Sequence, residues 1–231
     1  QKNSGLGTSS SFCVGLFNAL YTLSRRKISK KNLALSSIHI EQKILKENCG
    51  SQDQIWAAYG GFNIINFKKK GTFNVIKLNK NEINVNVLDQ NMFLVYTGIN
   101  RFSTDIEKDK IKNIEKNFNR LDKIKTITNS FIQNIENGLS LDHCADLMNE
   151  YWNVKKMLSQ KVSNSYINEL YSEGLNNGAI GGKIIGSGGG GFLLFCCKKR
   201  NQNKFFKGFK KLPIIKFNFT DTGSEIIFKN I

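Results

Sequence analysis

No apolar run in this 231-residue sequence approaches the roughly 20 residues that a membrane-spanning helix requires. The opening residues, 1–11, lack the basic, then apolar, then small-residue order of a secretory signal. They also lack an initiator Met and begin inside what reads as a functional loop, so the true start is expected upstream. The five cysteines (Cys13, Cys49, Cys144, Cys196 and Cys197) are odd in number and show no metal-ligand spacing. Neighbouring Cys196 and Cys197 would face opposite ways in a strand and could not pair. Buried, reduced thiols of a cytoplasmic protein are the expectation, not a zinc site or a disulfide scaffold. No internal repeat is visible.

What the chain has in excess is positive charge: 34 Lys and Arg against 18 Asp and Glu give +16. That balance raises the question of a nucleic-acid partner. The cations are scattered over 68–70, 108–125 and 198–211, are mostly Lys, and do not alternate with aromatics on a recognisable module. Neither nucleic acid nor membrane is therefore expected as a partner. Attraction of phosphate-bearing substrates is the simpler use of the charge, and a non-catalytic basic binding module is the rival. A hydrophobic fraction of 40% and a charged fraction of 23% suit a globular chain able to bury a core.

Periodicity predicts a helix over 9–23, with Phe12, Leu16, Leu20 and Leu23 at helical spacing behind a Ser/Thr cap cluster. A second is predicted over 30–48, with Leu33, Ile40 and Ile44 on one side. Period-two alternation over 61–88 (Phe62, Ile64; Phe73, Val75; Ile83, Val85, Val87) predicts short strands, and 93–96 another. A capping box at Thr104 and Glu107 opens a helical region, followed by helices over about 140–159 and 163–176. A strand over 192–197, a short helix over 203–211 and a final strand through Ile215, Phe217 and Phe219 close an α+β pattern. The change of character near 89–100 suggests two domains, 1–91 and 92–231.

Three constellations carry chemistry. Ser4-Gly5-Leu6-Gly7-Thr8-Ser9-Ser10-Ser11 runs straight into a helix. Its glycines permit close backbone approach, its N–H groups and helix start favour an anion, and its hydroxyls can meet phosphate or a metal ion. An ordinary capped loop has the same composition. Glu41 and Asp53 flank a break at Gly50 that lets the chain turn back and bring both carboxylates toward one site. Phosphoryl transfer uses one carboxylate to hold Mg²⁺ and often an Asp to take the hydroxyl proton, although two solvated carboxylates would look the same. His39 nearby reads as structural. The third is Gly178-Ala179-Ile180-Gly181-Gly182-Lys183-Ile184-Ile185-Gly186-Ser187-Gly188-Gly189-Gly190-Gly191, followed by an apolar run. A flexible linker would not be flanked and interrupted by apolar residues. Nor is it a Walker A loop, because Lys183 is followed by Ile184. Its glycines point to backbone packed closely on another loop or on phosphate.

In this order, SGLGTSSS, the spaced carboxylates and GAIGGKIIGSGGGG resemble the GHMP kinase superfamily. HIEQKILKENCGSQDQIWAAYGGFN, FLVYTGINR and VSNSYINELY are similar to its D-glycero-D-manno-heptose 7-phosphate kinase branch. The resemblance implies a two-domain fold, part of a ribosomal S5-like N-terminal domain with a ferredoxin-like C-terminal domain. It also implies ATP and Mg²⁺, with Asp53 as general base against the sugar hydroxyl and Glu41 as a metal ligand. Ser9 best matches the serine of the metal site, with Thr8 and Ser10 adjacent enough to leave the register open. Ser4, Gly5, Leu6, Gly7, Thr8, Ser9 and Ser10 would wrap the ATP phosphates, and Gly188 and Gly189 would pack against that loop. Thr97, Gly98 and Arg101 fall in a segment shared with the heptose branch, and Arg101 would meet an anionic substrate group. Asn3, Ser11 and Ser187 depart from the family pattern by small or polar changes, and its first motif is missing. The implied acceptor is a heptose 7-phosphate, with fucose- or galactose-type sugars as alternatives.

Overall fold

The computed structural model describes residues 5–78, 83–100 and 103–228. Two compact units emerge: one formed by Gly7–Lys80 with Phe219–Ile231, the other by Gln1–Leu6 with Asn81–Asn218, each in its described residues. The first unit ends at Lys80 where a boundary at 91/92 was expected, and it also takes in the segment from Phe219, which packs with the N-terminal residues. Ser224 N–H donates to Ala57 O, and Asn18 Nδ2 donates to Ser224 Oγ.

In the first unit, helices α1 (Thr8–Leu23), α2 (Lys30–His39) and α3 (Gln52–Tyr59) pack beside an antiparallel hairpin of β1 (Asn63–Phe67) and β2 (Phe73–Lys77). Its core holds Val14, Leu33, Ala34, Ile55, Ala58 and Phe73. The α1 stripe expected from periodicity is real, but it faces outward: Phe12 is 70% and Leu23 69% exposed. Ser10, Cys13 and Val14 are buried instead. The second helix stops at His39 and continues as a π-helical turn, Ile40–Ile44, short of the predicted residue 48. The chain reverses at Lys46, a left-handed residue (φ 55°), rather than at Gly50.

The other unit carries α4 (Val85–Asn91), β3 (Met92–Tyr96), α5 (Ser103–Lys112), α6 (Phe118–Glu136), α7 (Leu141–Lys156) and α8 (Ser165–Asn176). After them come β4 (Gly181–Ile184), β5 (Phe192–Cys196), α9 (Gln202–Gly208) and β6 (Ile214–Lys216). The strand predicted through Ile83, Val85 and Val87 is corrected to helix α4. There Val85 and Leu88 bury at i, i+3, a spacing that the alternation of 83, 85 and 87 masked. The four-stranded sheet is antiparallel throughout in the order β4-β5-β3-β6. Its two central strands are apolar on both faces because both faces are covered. On one, Phe195 meets the rings of Tyr171, Phe205 and Phe209. On the other, α7 lies so close to β4 that a Cβ on Gly181 would sit 2.4 Å from Ala145 O. Asn149 pins the layers: its Oδ1 accepts from Tyr171 OH (2.6 Å) and Gly182 N–H (2.9 Å), and its Nδ2 donates to Ile180 O.

All five thiols are free, as expected. Burial pushes Cys196 up to about 12 and Cys144 and Cys197 to about 11. None of the described helices is long and apolar enough to cross a membrane.

Two outcomes follow from this packing. Gly181→Ala forces β4 from α7 and should cost about 1–3 kcal/mol in chemical denaturation; an unchanged midpoint would mean the contact gives way freely. Raised thiol pKa values leave little thiolate near pH 8. Alkylation should therefore be slow in the native protein and reach five thiols only after unfolding; rapid native labelling of Cys144, Cys196 or Cys197 would contradict their burial.

Candidate active site

The N-terminal turn of α1 is shaped by Gly7, which takes the left-handed conformation (φ 67°, ψ 23°) at the N-cap position without a side-chain cap. Ser11 N–H donates to Gly7 O, closing the first intrahelical bond. The N–H groups ahead of it have no acceptor within the helix, and with the helix dipole they make this end a place for an anion. No acidic residue lies in that first turn. Thr8 and Ser9 are exposed, and Ser10 is buried.

Glu41 is brought to the same turn from the π-helical segment, where it is only 2% exposed. π-turns interrupting α-helices are frequent at functional sites, since the extra residue re-aims a side chain. Ser9 Oγ donates to Glu41 Oε1 at 3.1 Å; Ser10 Oγ lies 3.2 Å from Oε1 and donates to Oε2 at 2.9 Å. The loop from Leu45 to Ser51 is then folded back by Gln42, whose Nε2 donates to Cys49 O and Ser51 Oγ. That return places Asp53 in the first turn of α3, an electrostatically favourable position for a carboxylate. Asp53 packs directly on Gly7: a Cβ there would lie 3.3 Å from both Asp53 Cγ and Oδ2. Any larger residue at 7 would meet both a strained φ and this carboxylate.

The structure thus gathers Gly7, Ser9, Ser10, Glu41 and Asp53 within one unit. A carboxylate beside two hydroxyls, at an anion-favouring helix start, is the donor set that suits Mg²⁺ bound together with phosphate oxygens. Among the described residues, no cluster of three or more His, Cys, Asp or Glu offers a different metal site. Sequence reasoning missed Gln54, which is fully buried and whose Nε2 donates to Glu41 Oε2. The only signal was its place one residue after Asp53. It also missed Ser10 as the hydroxyl touching both Glu41 oxygens.

Thr8 lies in the same unit, whereas Gly5, Leu6, Thr97, Gly98, Gly188 and Gly189 lie in the second. Thr97 is buried, and its hydroxyl donates to Gly191 O (2.9 Å) and accepts from Ile99 N–H (3.3 Å). Gly98 is exposed beside it. Gly191 N–H in turn donates to Ile99 O, so the TGI segment and the glycine run are laced together. Gly188 packs on Val162, where a Cβ would lie 2.7 Å from Val162 O, and Gly189 packs on Ile106 and Lys161. Lys155, buried on α7, donates from Nζ to Gly186 O (2.5 Å) and Ile184 O (3.4 Å). Lys183 sits over the Tyr151 ring at 4.5 Å, with burial holding its ammonium below the ordinary lysine value. Ser4 and Arg101 lie outside the described residues.

Comparison with known proteins identifies related chains and folds. The GHMP kinases N-terminal domain matches residues 1–61, and the GHMP kinases C-terminal domain matches residues 132–212. A D-glycero-alpha-D-manno-heptose 7-phosphate kinase of Campylobacter jejuni is 31% identical over 191 residues, 80% of this chain and 55% of the relative. A crystal structure of a D-glycero-D-manno-heptose 1-phosphate kinase from Bacteroides thetaiotaomicron superposes with a TM-score of 0.74 at 24% identity. That match covers 96% of this chain and 62% of the other. Lactococcus lactis galactokinase, solved with galactose, gives 0.74 at 14% identity, over 97% of this chain and 68% of that one. At these identities the two structures speak to the fold alone. The chain spans little more than half the length of the curated heptose kinase it matches. With both domains of one family matched in order over more than half of its residues, the chain belongs to the GHMP kinases.

Proposed function

We propose that this chain carries the phosphoryl-transfer machinery of an ATP-dependent sugar kinase acting on a heptose 7-phosphate. The observation that carries the reading is the convergence of Ser9, Ser10 and Glu41 on one helix start with Asp53 packed against Gly7. The choice of sugar is supported by the identity with the Campylobacter heptose 7-phosphate kinase.

In this reading the loop from Ser4 to Ser10 receives the ATP phosphates on its backbone N–H groups and hydroxyls. Glu41 and the Ser9 hydroxyl would hold Mg²⁺, with Ser10 the neighbouring candidate. When bound, the ion neutralises charge that builds on the transferring phosphoryl group. Asp53 takes the proton of the anomeric hydroxyl as that oxygen forms its bond to the γ-phosphorus. The bond from the γ-phosphorus to the bridging oxygen breaks at the same centre, and ADP leaves with the electron pair. Burial of Glu41 and the close packing of Asp53 on Gly7 hold the two carboxylates in separate roles. The product would be a 1,7-bisphosphate for surface-polysaccharide precursors, made in the cytoplasm, where ATP is available. Arg101 would meet the 7-phosphate. Thr97 and Gly98, with the Thr97 hydroxyl already committed to Gly191, would shape that side through the backbone. Residues 1–91 would form the remaining part of the ATP-binding domain and 92–231 the C-terminal domain, apart from the segment after Phe219.

Asp53→Asn removes the proton acceptor and keeps the size of the side chain. Turnover, followed as ADP release with heptose 7-phosphate, should fall by about 10²–10⁴-fold with ATP binding retained. Near-normal turnover in this variant would remove Asp53 from the role.

A further inference from the structure

We propose that Gln54 is a positioning residue that fixes the Glu41 carboxylate for cation binding; this rests on the kinase reading above. Glu41 is buried, and its oxygens receive three side chains: Ser9, Ser10 and Gln54. The three donors are not equivalent. A serine hydroxyl has one rotatable proton and two lone pairs, so it can turn from donating to a carboxylate to facing a cation. Once either serine turns, Glu41 loses that donor. A primary amide cannot make this exchange at Nε2, which has only protons to offer. Gln54 is therefore the partner that keeps its bond to Glu41 whether or not an ion is present.

The rest of the residue's surroundings agree with such a task. Gln54 is 0% exposed, and its Oε1 is buried with no hydrogen-bond partner among the described residues. An orphaned buried acceptor is costly, and an apolar side chain of the same length would avoid the cost. The amide's orientation follows from charge, since its carbonyl end cannot face the Glu41 carboxylate. Its second N–H lies toward Cys49 Sγ at 3.7 Å, a weak acceptor. Gln54 also follows Asp53 on α3, so one helical turn sets the base against Gly7 and the amide against Glu41. A residue that holds a metal ligand in place tunes the affinity for the ion without touching it.

The test uses this chain with Gln54→Met, which keeps length and removes the donor. Mn²⁺ binding would be followed by electron paramagnetic resonance in the presence of a non-hydrolysable ATP analogue. Analogue binding would be measured separately by calorimetry with and without chelator. Mn²⁺ affinity should fall by about 10–100-fold, while analogue binding under chelator stays at the wild-type value and the melting midpoint moves by less than about 4 °C. Gln54→Asn, whose amide is one methylene too short, should show the same loss and serves if the Met variant does not fold. Wild-type Mn²⁺ affinity in either folded variant overturns the inference while leaving the kinase reading intact. Equal loss of analogue binding with and without cation also overturns it, since that marks a structural role only. If the unmodified chain takes up no Mn²⁺ with the analogue, the kinase reading and this inference fall together.

Discussion

The first unit is organised around one demand: a carboxylate buried to 2% exposure must be met by donors from every side. The donors for Glu41 come from the start of α1 and from α3, while the carboxylate itself comes from the π-turn after α2. Satisfying it therefore fixes three helices relative to one another. The same arrangement presses Asp53 onto Gly7 and leaves the anion-favouring helix start beside both carboxylates. Stability and chemistry share these contacts. Glu41 is met by three neutral donors, so losing one of them leaves the carboxylate two others.

The second unit solves a different problem, the anchoring of a glycine-dense segment without side chains to pack. Its backbone is held by groups reaching in from neighbours: Lys155 from α7, Asn149 bridging α7, α8 and β4, and Thr97 with Ile99 from the end of β3. The glycines make that possible because a Cβ at Gly188, Gly189 or Gly190 would collide with Val162, Ile106 or Ile99. The run is thus a packed structural element and contributes one strand of the sheet, β4.

Much of this was legible in the residues. Cap signals and 3.6-residue spacing located most of the helices, and the apolar run after Gly191 became β5. Misreadings have definite causes. Periodicity shows which residues share a face of α1, but not which face is covered, so Phe12 and Leu23 were grouped correctly and faced wrongly. Short apolar segments are ambiguous between periods, so Ile83, Val85 and Val87 read as a strand where α4 forms. The reversal was assigned to Gly50, whereas Lys46 adopts the left-handed turn, held by loop hydrogen bonds no local pattern discloses. Gln54 passed unremarked because an amide acquires meaning only from what it touches.

By itself the sequence determined the residue types of the site and the family to which they belong. Ser9, Glu41 and Asp53 are spaced along the chain in a recognisable order, and order is a one-dimensional property. Only the tertiary structure decided that Ser9 and Ser10 reach one carboxylate 31 or 32 residues away, and that Gln54 holds its far side. It also decided that Asp53 stands against Gly7 and that the segment after Phe219 returns to the N-terminal unit. The reason is physical: burial and the sharing of hydrogen bonds depend on which surfaces meet in space, and separation along the chain does not encode that distance.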